Sequence, residues 1–492
     1  MRENGPLWAD AGPAGRQART RWALLLVCAM TACSSLPRLP APPVRIADVA
    51  PSGFPPTVRY LGSDREFFEA HALERLDRLR VAAGGGTLSI LALSGGGAGG
   101  AFGAGALVGL SRCGERPKFH VVTGVSSGAL IAPFAFLGPD WDGELEDAFL
   151  SGRAEHLLQP RGLEFLFRPG YFKGKPLAQL VDHFITARLV EEVAREAAEG
   201  RLLLVATTDV DKEEPVIWDL GAVAAQGGER ALDLFRAVLI ASASIPGVFP
   251  PVLIQVEGEG EHFEEMHVDG GTTLPLFVAP EVAEAEPPAT KGLEGARIFV
   301  LVNGQLNTYP ETTKARPLPV LSRSFSAALM HFSRKALALT ASFAERHGML
   351  LRFSYLPVTY PYQGSLDFKS APMRLLFEYG ARCAEAGMLW TTVGQAMEKE
   401  QSIATSLPKQ SEMCPAAATG RDVRETPKES VFGPWPPPTP SESREETPGE
   451  YLTGQVPQDG SHLVWLPTEL PMPSLLDRLP ATSIASVNRT VF

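Results

Sequence analysis

At 492 residues, 45% hydrophobic and 21% charged, the chain has the composition of a globular protein and can bury one large core or two modest ones. Its formal net charge of −11 argues against a nucleic-acid partner and against a purely electrostatic grip on anionic lipid. Its cysteines (Cys28, Cys33, Cys113, Cys383 and Cys414) show no metal-ligand spacing, so no metal is expected.

The chain opens with Arg16, Arg19 and Arg21 ahead of an apolar run, residues 22–30, that is too short to span a bilayer as a helix. The run ends in Met30-Thr31-Ala32-Cys33-Ser34-Ser35. A hydrophobic residue, two small ones and a cysteine resemble a bacterial lipobox, in which Cys33 is lipidated and becomes the mature N-terminus. Met30 stands where Leu is usual, and the alternative is a plain signal peptide cut after Ala32. Either reading exports the chain. Ser34 is not the acid that retains many such proteins at the inner membrane, so the expected location is the outer membrane of a Gram-negative envelope. Residues 1–33 are read as the signal peptide. Residues 34–85 are read as a Pro-rich tether followed by a solvated helix over 64–81 that covers a sheet edge.

Residues 88–93 are an apolar, strand-like run, and residues 94–100 (Ser94, Gly95, Gly96, Gly97, Ala98, Gly99, Gly100) carry almost no side chains. Small and apolar residues over 101–110 suit a packed helix. A second apolar strand, 119–123, runs into Gly124-Val125-Ser126-Ser127-Gly128, and a helix is expected over 129–137. Strand, loop, helix, strand, turn, helix is the pattern of a parallel α/β sheet.

Gly-x-Ser-x-Gly at a strand-to-helix turn is a nucleophile elbow, because Gly124 and Gly128 let two backbones pass close to a strained Ser126. The pentapeptide alone also fits an ordinary tight turn. The glycine loop one strand upstream favours the elbow, since the unobstructed amides of Gly95, Gly96 and Gly97 suit an oxyanion hole. The same loop satisfies Gly-x-Gly-x-x-Gly, but a dinucleotide fold wants an acid ending the second strand, and Thr123-Gly124-Val125-Ser126 has none. No cofactor is expected.

Further along, amphipathic helices are expected over 140–158 and 176–198. The aromatic run 165–172 between them reads as core, or as a loop that lines an acyl channel or meets a membrane. Strands over 202–207 and 215–219, read as a pair, and a helix over 230–242 lead to a proline-rich hinge, Ala241 to Pro251. Then His267-Val268-Asp269-Gly270-Gly271 places an acid at a strand end before two glycines. By itself this is a turn, but a serine nucleophile needs a base, and a strand end would deliver Asp269 to a loop face. A buried strand over 296–302, a long helix over 322–347, a strand over 351–357 and a closing helix over 372–399 complete the domain. From 401 the composition turns to Pro, Ser, Glu and Thr and is read as a mostly disordered tail to 492, in which the more apolar 463–476 could dock back.

Together the glycine loop, the elbow, the Ala241–Pro251 hinge and Asp269-Gly270-Gly271 resemble the patatin-like phospholipases, in particular bacterial lipoprotein members. The resemblance is strongest over 88–302. It implies a three-layer α/β/α fold with a mainly parallel central sheet in a catalytic domain spanning 86–400. It also implies a serine hydrolase of lipid acyl esters, phospholipase A or lysophospholipase-like, working through an acyl-enzyme. In that reading Ser126 is the nucleophile, Asp269 the general base and acid, and Gly95, Gly96 and Gly97 the oxyanion hole, with Gly124, Gly128, Gly270 and Gly271 in support. The substrate would be a lipid or phospholipid and the membrane link the lipid on Cys33; no protein partner is implied. Relatives usually have Lys or Arg where this chain has Gly99, which removes a cation and leaves head-group preference open. One rival is an α/β-hydrolase triad using His331 or His347, both within a helical run where a triad histidine seldom sits. Another is a non-catalytic envelope scaffold, against which the joint presence of Ser126, the glycine loop and Asp269 speaks.

Overall fold

The computed structural model describes residues 38–43, 49–162, 164, 169–278, 293–308, 312–393, 396 and 414–415. The leader with Cys33, residues 165–168 of the aromatic run, and the tail from 401 other than 414–415, including 463–476, lie outside the described residues.

In chain order the elements are β1 (Ala50–Pro51), β2 (Arg59–Leu61), α1 (Arg65–Ala83), β3 (Ser89–Leu93), α2 (Gly100–Arg112), β4 (Val121–Val125), α3 (Ser127–Leu137), α4 (Asp142–Leu150), α5 (Lys175–Phe184), α6 (Ala187–Ala198), β5 (Leu202–Asp209), β6 (Glu214–Asp219), α7 (Leu220–Ala224), α8 (Gly228–Ser242), β7 (Val252–Gly258), β8 (Glu261–Asp269), β9 (Arg297–Gln305), α9 (Pro317–Arg346), β10 (Leu350–Leu356) and α10 (Ser370–Glu385). The strands form one sheet in the order β1-β7-β8-β5-β4-β3-β9-β10, with β6 bridging β5 to β2. Its centre, β5-β4-β3-β9-β10, is parallel, and the wing of β1, β7, β8, β6 and β2 is antiparallel.

Alternation along the central strands divides the core in two. Leu91, Leu93, Val122, Leu203, Val205 and Leu301 face a layer that includes Phe102 and Leu107 of α2, Ile131 of α3, Val238 of α8 and Phe377 of α10. Ile90, Ala92, Val121, Leu202, Leu204 and Val300 face Leu76 and Leu79 of α1 and Leu337 and Phe343 of α9. The result is a three-layer α/β/α domain, with both sheet faces covered, as a parallel sheet requires. Truncating a fully buried sheet residue such as Leu91 to Ala would cost about 2–5 kcal/mol. The small residues of α2 serve helix contact. A Cβ on Gly105 would stand 1.9 Å from the carbonyl oxygen of Phe377, so α10 approaches α2 backbone to backbone.

Several expected elements are shorter or differently placed. The helix expected over 140–158 breaks at Ser151 and Gly152, where Gly152 takes φ 79°. The one expected over 176–198 is two helices, because Thr186 turns extended and caps α6 by accepting from the Leu189 amide. The closing helix ends at Glu385, followed by Gly387 at φ 67°, instead of running to 399. The α1 helix is solvated on its outer side and lies against the edge strand β2, where Phe67 stacks on Tyr60, and it also contributes to the core, with Ala72, Leu76 and Leu79 buried. Cys383 of α10 forms a disulfide with Cys414, which is buried.

Candidate active site

One edge of β5 brings the two chemical residues together. β6 occupies the other edge, so β4 and β8 share this one: β4 ends with Val125 opposite Ala206, and β8 ends with Asp269 opposite Thr207. The residue after Val125 therefore meets the last residue of β8. The Ser126 hydroxyl donates to Asp269 Oδ2 at 2.6 Å, and the Gly271 amide donates to Oδ1 at 2.7 Å. Both carboxylate oxygens are thus oriented.

Ser126 sits at φ 55° and ψ −125°, a conformation that costs a non-glycine residue about 1–3 kcal/mol and must be held by its surroundings. The hinge supplies much of the hold. The Ser126 amide donates to Ser242 Oγ at 3.0 Å, and that hydroxyl donates to the Ala206 carbonyl at 2.7 Å. Two residues on, the Ser244 carbonyl accepts from the Asp269 amide at 2.9 Å. Residues 242–244 therefore position the serine and the acid at once. In the sequence this stretch reads as a proline-rich hinge and as part of the family resemblance, and nothing there marks Ser242 as the acceptor of an amide on another element.

Asp269 is fully buried, and burial pushes its carboxyl up from an ordinary 3.8 to about 7, against the opposing pull of the Ser126 and Gly271 hydrogen bonds. Behind it on β8 lies a paired ionic cluster. Lys212 bonds both Asp209 and Glu265, Arg59 bonds Glu265, and His267 bridges Thr207 at 3.0 Å and Glu265 at 3.3 Å. Burial opposes ionisation of Glu265, but the His267 hydrogen bond and the charges of Arg59 and Lys212 hold it well below the usual carboxylate range. Asp209, Glu265 and His267 are the residue types that bind metals and lie close enough together to do so. Their oxygens are instead matched by the two cations, so the cluster reads as structural.

In the glycine loop the three amides are not equivalent. Gly95 N–H donates to the Pro275 carbonyl at 3.1 Å, whereas Gly96 and Gly97 have no backbone acceptor among the described residues. Of the three amides expected as oxyanion donors, that of Gly95 is thus already engaged. Asn303 braces the loop, its amide donating to Ser94 Oγ and its side chain to the Ser94 carbonyl. Gly124 lies on β4, Gly128 in the first turn of α3, and Gly270 and Gly271 in the turn after β8. Gly97 and Ser126 open onto a narrow apolar cavity of about 70 Å³, walled by residues such as Leu130, Phe134, Leu177 and Phe249. From the aromatic run, Phe172 is buried elsewhere and Tyr171 is partly exposed; neither lines this cavity.

No histidine hydrogen-bonds Ser126 or Asp269 among the described residues. His331 is exposed, and His347 ends α9, about 27 Å along the helix from Leu329. Leu329 is the α9 residue above the pair, its Cδ1 3.4 Å from where a Cβ on Gly271 would be.

Residues 91–280, the stretch holding the glycine loop, Ser126 and Asp269, match the family model described as patatin-like phospholipase. This segment is similar to a patatin-like phospholipase domain. Among solved structures, the chain resembles VipD from Legionella pneumophila at 14% identity, covering 59% of this chain and 67% of that one with a TM-score of 0.25. It also resembles human GIVD cytosolic phospholipase A2 at 12% identity, covering 59% of this chain and 51% of that one with a TM-score of 0.28. It thus spans about half the length of the human structure. No curated protein matches the chain. The patatin-like segment ends before β9 and α9, which supply Asn303 and Leu329 from outside it.

Proposed function

We propose that the chain is a serine acyl hydrolase of lipid esters that works through a Ser126–Asp269 dyad and an acyl-enzyme. The observation that carries the reading is the 2.6 Å hydrogen bond from Ser126 Oγ to a fully buried Asp269 carboxylate, beside the Gly96 and Gly97 amides, which have no backbone acceptor among the described residues. As Ser126 Oγ attacks the ester carbonyl, Asp269 Oδ2 takes its proton. The amides of Gly96 and Gly97 stabilise the oxyanion, each such donor contributing about 3–4 kcal/mol. The Asp269 carboxyl then returns the proton to the departing alkoxide. Water next enters and attacks the acyl carbon as it gives a proton to Asp269, and the Asp269 carboxyl returns that proton to Ser126 Oγ as the acyl–oxygen bond breaks, releasing the carboxylic acid and restoring the dyad. Only the ionised Asp269 accepts a proton, so the raised carboxyl makes it a usable base near neutrality, unlike a free aspartate. The apolar cavity at Ser126 suits the acyl chain. Fluorophosphonate labelling of Ser126 together with hydrolysis of p-nitrophenyl butyrate tests the proposal. A folded protein that does neither refutes it.

The proposal places this enzyme in the cell envelope, exported and anchored by lipid on Cys33. Support comes from the leader and from the Cys383–Cys414 disulfide, a bond favoured by oxidising compartments. No described helix is long and apolar enough to cross a membrane. Palmitate incorporation that is lost in Cys33→Ser tests the anchor, and a mature N-terminus elsewhere than Cys33 would overturn it.

A further inference from the structure

The apolar cavity at Ser126 contains a hydroxyl that the dyad does not use. Of its described lining residues, only Ser126 and Ser127 carry polar side chains, and Ser126 Oγ is committed to Asp269. Ser127, the first residue of α3, is buried at 6% exposure, and its Oγ has no hydrogen-bond partner among the described residues. A buried hydroxyl without a partner is costly and uncommon in a folded protein, so this one points to a partner that arrives from outside.

The position of Ser127 says which part of an ester its hydroxyl meets. It follows the nucleophile directly, whereas Leu130 and Phe134, about one and two turns further along α3, carry an apolar wall away from Ser126. The hydroxyl therefore stands at the carbonyl end of a bound ester, not along its acyl chain. A Cβ on Gly100, the first residue of α2, would lie 3.2 Å from Ser127 Oγ. The hydroxyl is thus set between the N-terminal ends of α2 and α3, where both helix dipoles favour negative charge. The Gly95 amide, held by Pro275, leaves room in the chemistry for another donor.

We infer that Ser127 Oγ is a side-chain oxyanion donor, acting beside the amides of Gly96 and Gly97. The inference rests on the acyl-hydrolase reading. As Ser126 attacks, charge grows on the carbonyl oxygen, and the Ser127 hydroxyl turns to donate to it. No proton is transferred. The hydrogen bond strengthens as the oxygen becomes anionic and weakens when the carbonyl reforms, so it favours the transition state over the bound ester. Ser127 is then a catalytic residue whose hydroxyl is unsatisfied in the free enzyme and satisfied in the transition state. A structural serine would behave otherwise, because its loss would weaken the fold.

The test is Ser127→Ala. It should lower kcat/KM for p-nitrophenyl butyrate about 10²-fold, the scale of one lost oxyanion donor, chiefly through kcat. Inhibition by octyl trifluoromethyl ketone, which becomes a hemiketal oxyanion on Ser126, should weaken in parallel. The variant should melt no lower than the wild type, since it loses an unpaired hydroxyl and gains a better helix former. An unchanged kcat, undiminished inhibition by the ketone, or a melting temperature several degrees lower overturns the inference. If the wild-type protein hydrolyses no ester and takes no fluorophosphonate, the acyl-hydrolase reading fails, and calorimetric binding of octanoate to Ser126→Ala judges the hydroxyl by itself. Affinity weakened about tenfold by adding Ser127→Ala supports a donor to a carboxyl oxygen at the polar end of the cavity. Equal affinity, or no binding, overturns it.

Discussion

The backbone N–H of Ser126 is held by the hydroxyl of Ser242, 116 residues away in sequence, at 3.0 Å. Since Ser242 also donates to Ala206, its hydroxyl ties the strained elbow to the β5 edge that aligns Asp269. Ser242→Ala leaves the Ser126 amide and the Ala206 carbonyl without this partner, at a cost of about 1–3 kcal/mol. The expected result is a folded enzyme with kcat reduced about 10–100-fold, KM little changed, and fluorophosphonate labelling slowed in parallel. Labelling at the wild-type rate would show that β4 and α3 hold the elbow unaided.

Ser126→Ala should lower ester hydrolysis by at least about 10⁴-fold, the scale on which loss of a nucleophile acts. The fold should persist, because the side chain contributes one hydrogen bond and little packing. Circular dichroism with a thermal melt separates this from misfolding, and wild-type turnover by a folded mutant would remove the mechanism.

The acidic limb of the pH–rate profile should fall near pH 7, as protonation of Asp269 removes the base. Asp269→Asn should abolish the limb along with most of the turnover, whereas His331→Ala and His347→Ala should keep both. Stability should shift in a linked way. The folded carboxyl is raised above its unfolded value of 3.8, so its contribution to stability is full below pH 3.8 and is lost as pH rises through about 7. Relative to Asp269→Asn, the wild type should therefore lose up to ~4 kcal/mol across that window. Urea titrations at several pH values check the sign; a gap that widens toward acid in favour of the mutant contradicts it.

Much of this arrangement is legible in the sequence, for a physical reason. Strand 88–93, the glycine loop, the elbow and Asp269-Gly270-Gly271 are local signals, each written in consecutive residues whose backbone needs are distinctive. The five-stranded parallel centre follows from apolar runs alternating with helices. What escapes is relational. Ser242 gives no sign that it accepts the Ser126 amide, Gly95 none that Pro275 occupies its N–H, and Gly99 none that Asn303 fills its space. The helix breaks at Gly152 and Thr186 carried turn and cap chemistry that amphipathic periodicity outweighed in reading 140–158 and 176–198.

The cysteines are a further instance, and they lead to the last prediction. Cys383 lies within the expected closing helix, while Cys414 falls in a stretch whose Pro, Ser and Glu content reads as tail; their spacing alone does not pair them. The structure joins them, with Cys414 buried at 1% exposure. The bond closes a loop of 31 residues, which by chain entropy stabilises the fold by about 2–4 kcal/mol. It anchors α10, the helix that packs backbone to backbone on α2, directly behind the glycine loop. The point at which the chain is truncated should therefore matter. A chain ending after residue 420 should melt and turn over like the full-length protein. One ending after 401, which removes Cys414, should lose several degrees of melting temperature, as should Cys414→Ser. Dithiothreitol should lower the full-length melt to the Cys414→Ser value and leave Cys414→Ser unmoved. Equal melting of the two truncations would show that α10 is held by its packing alone.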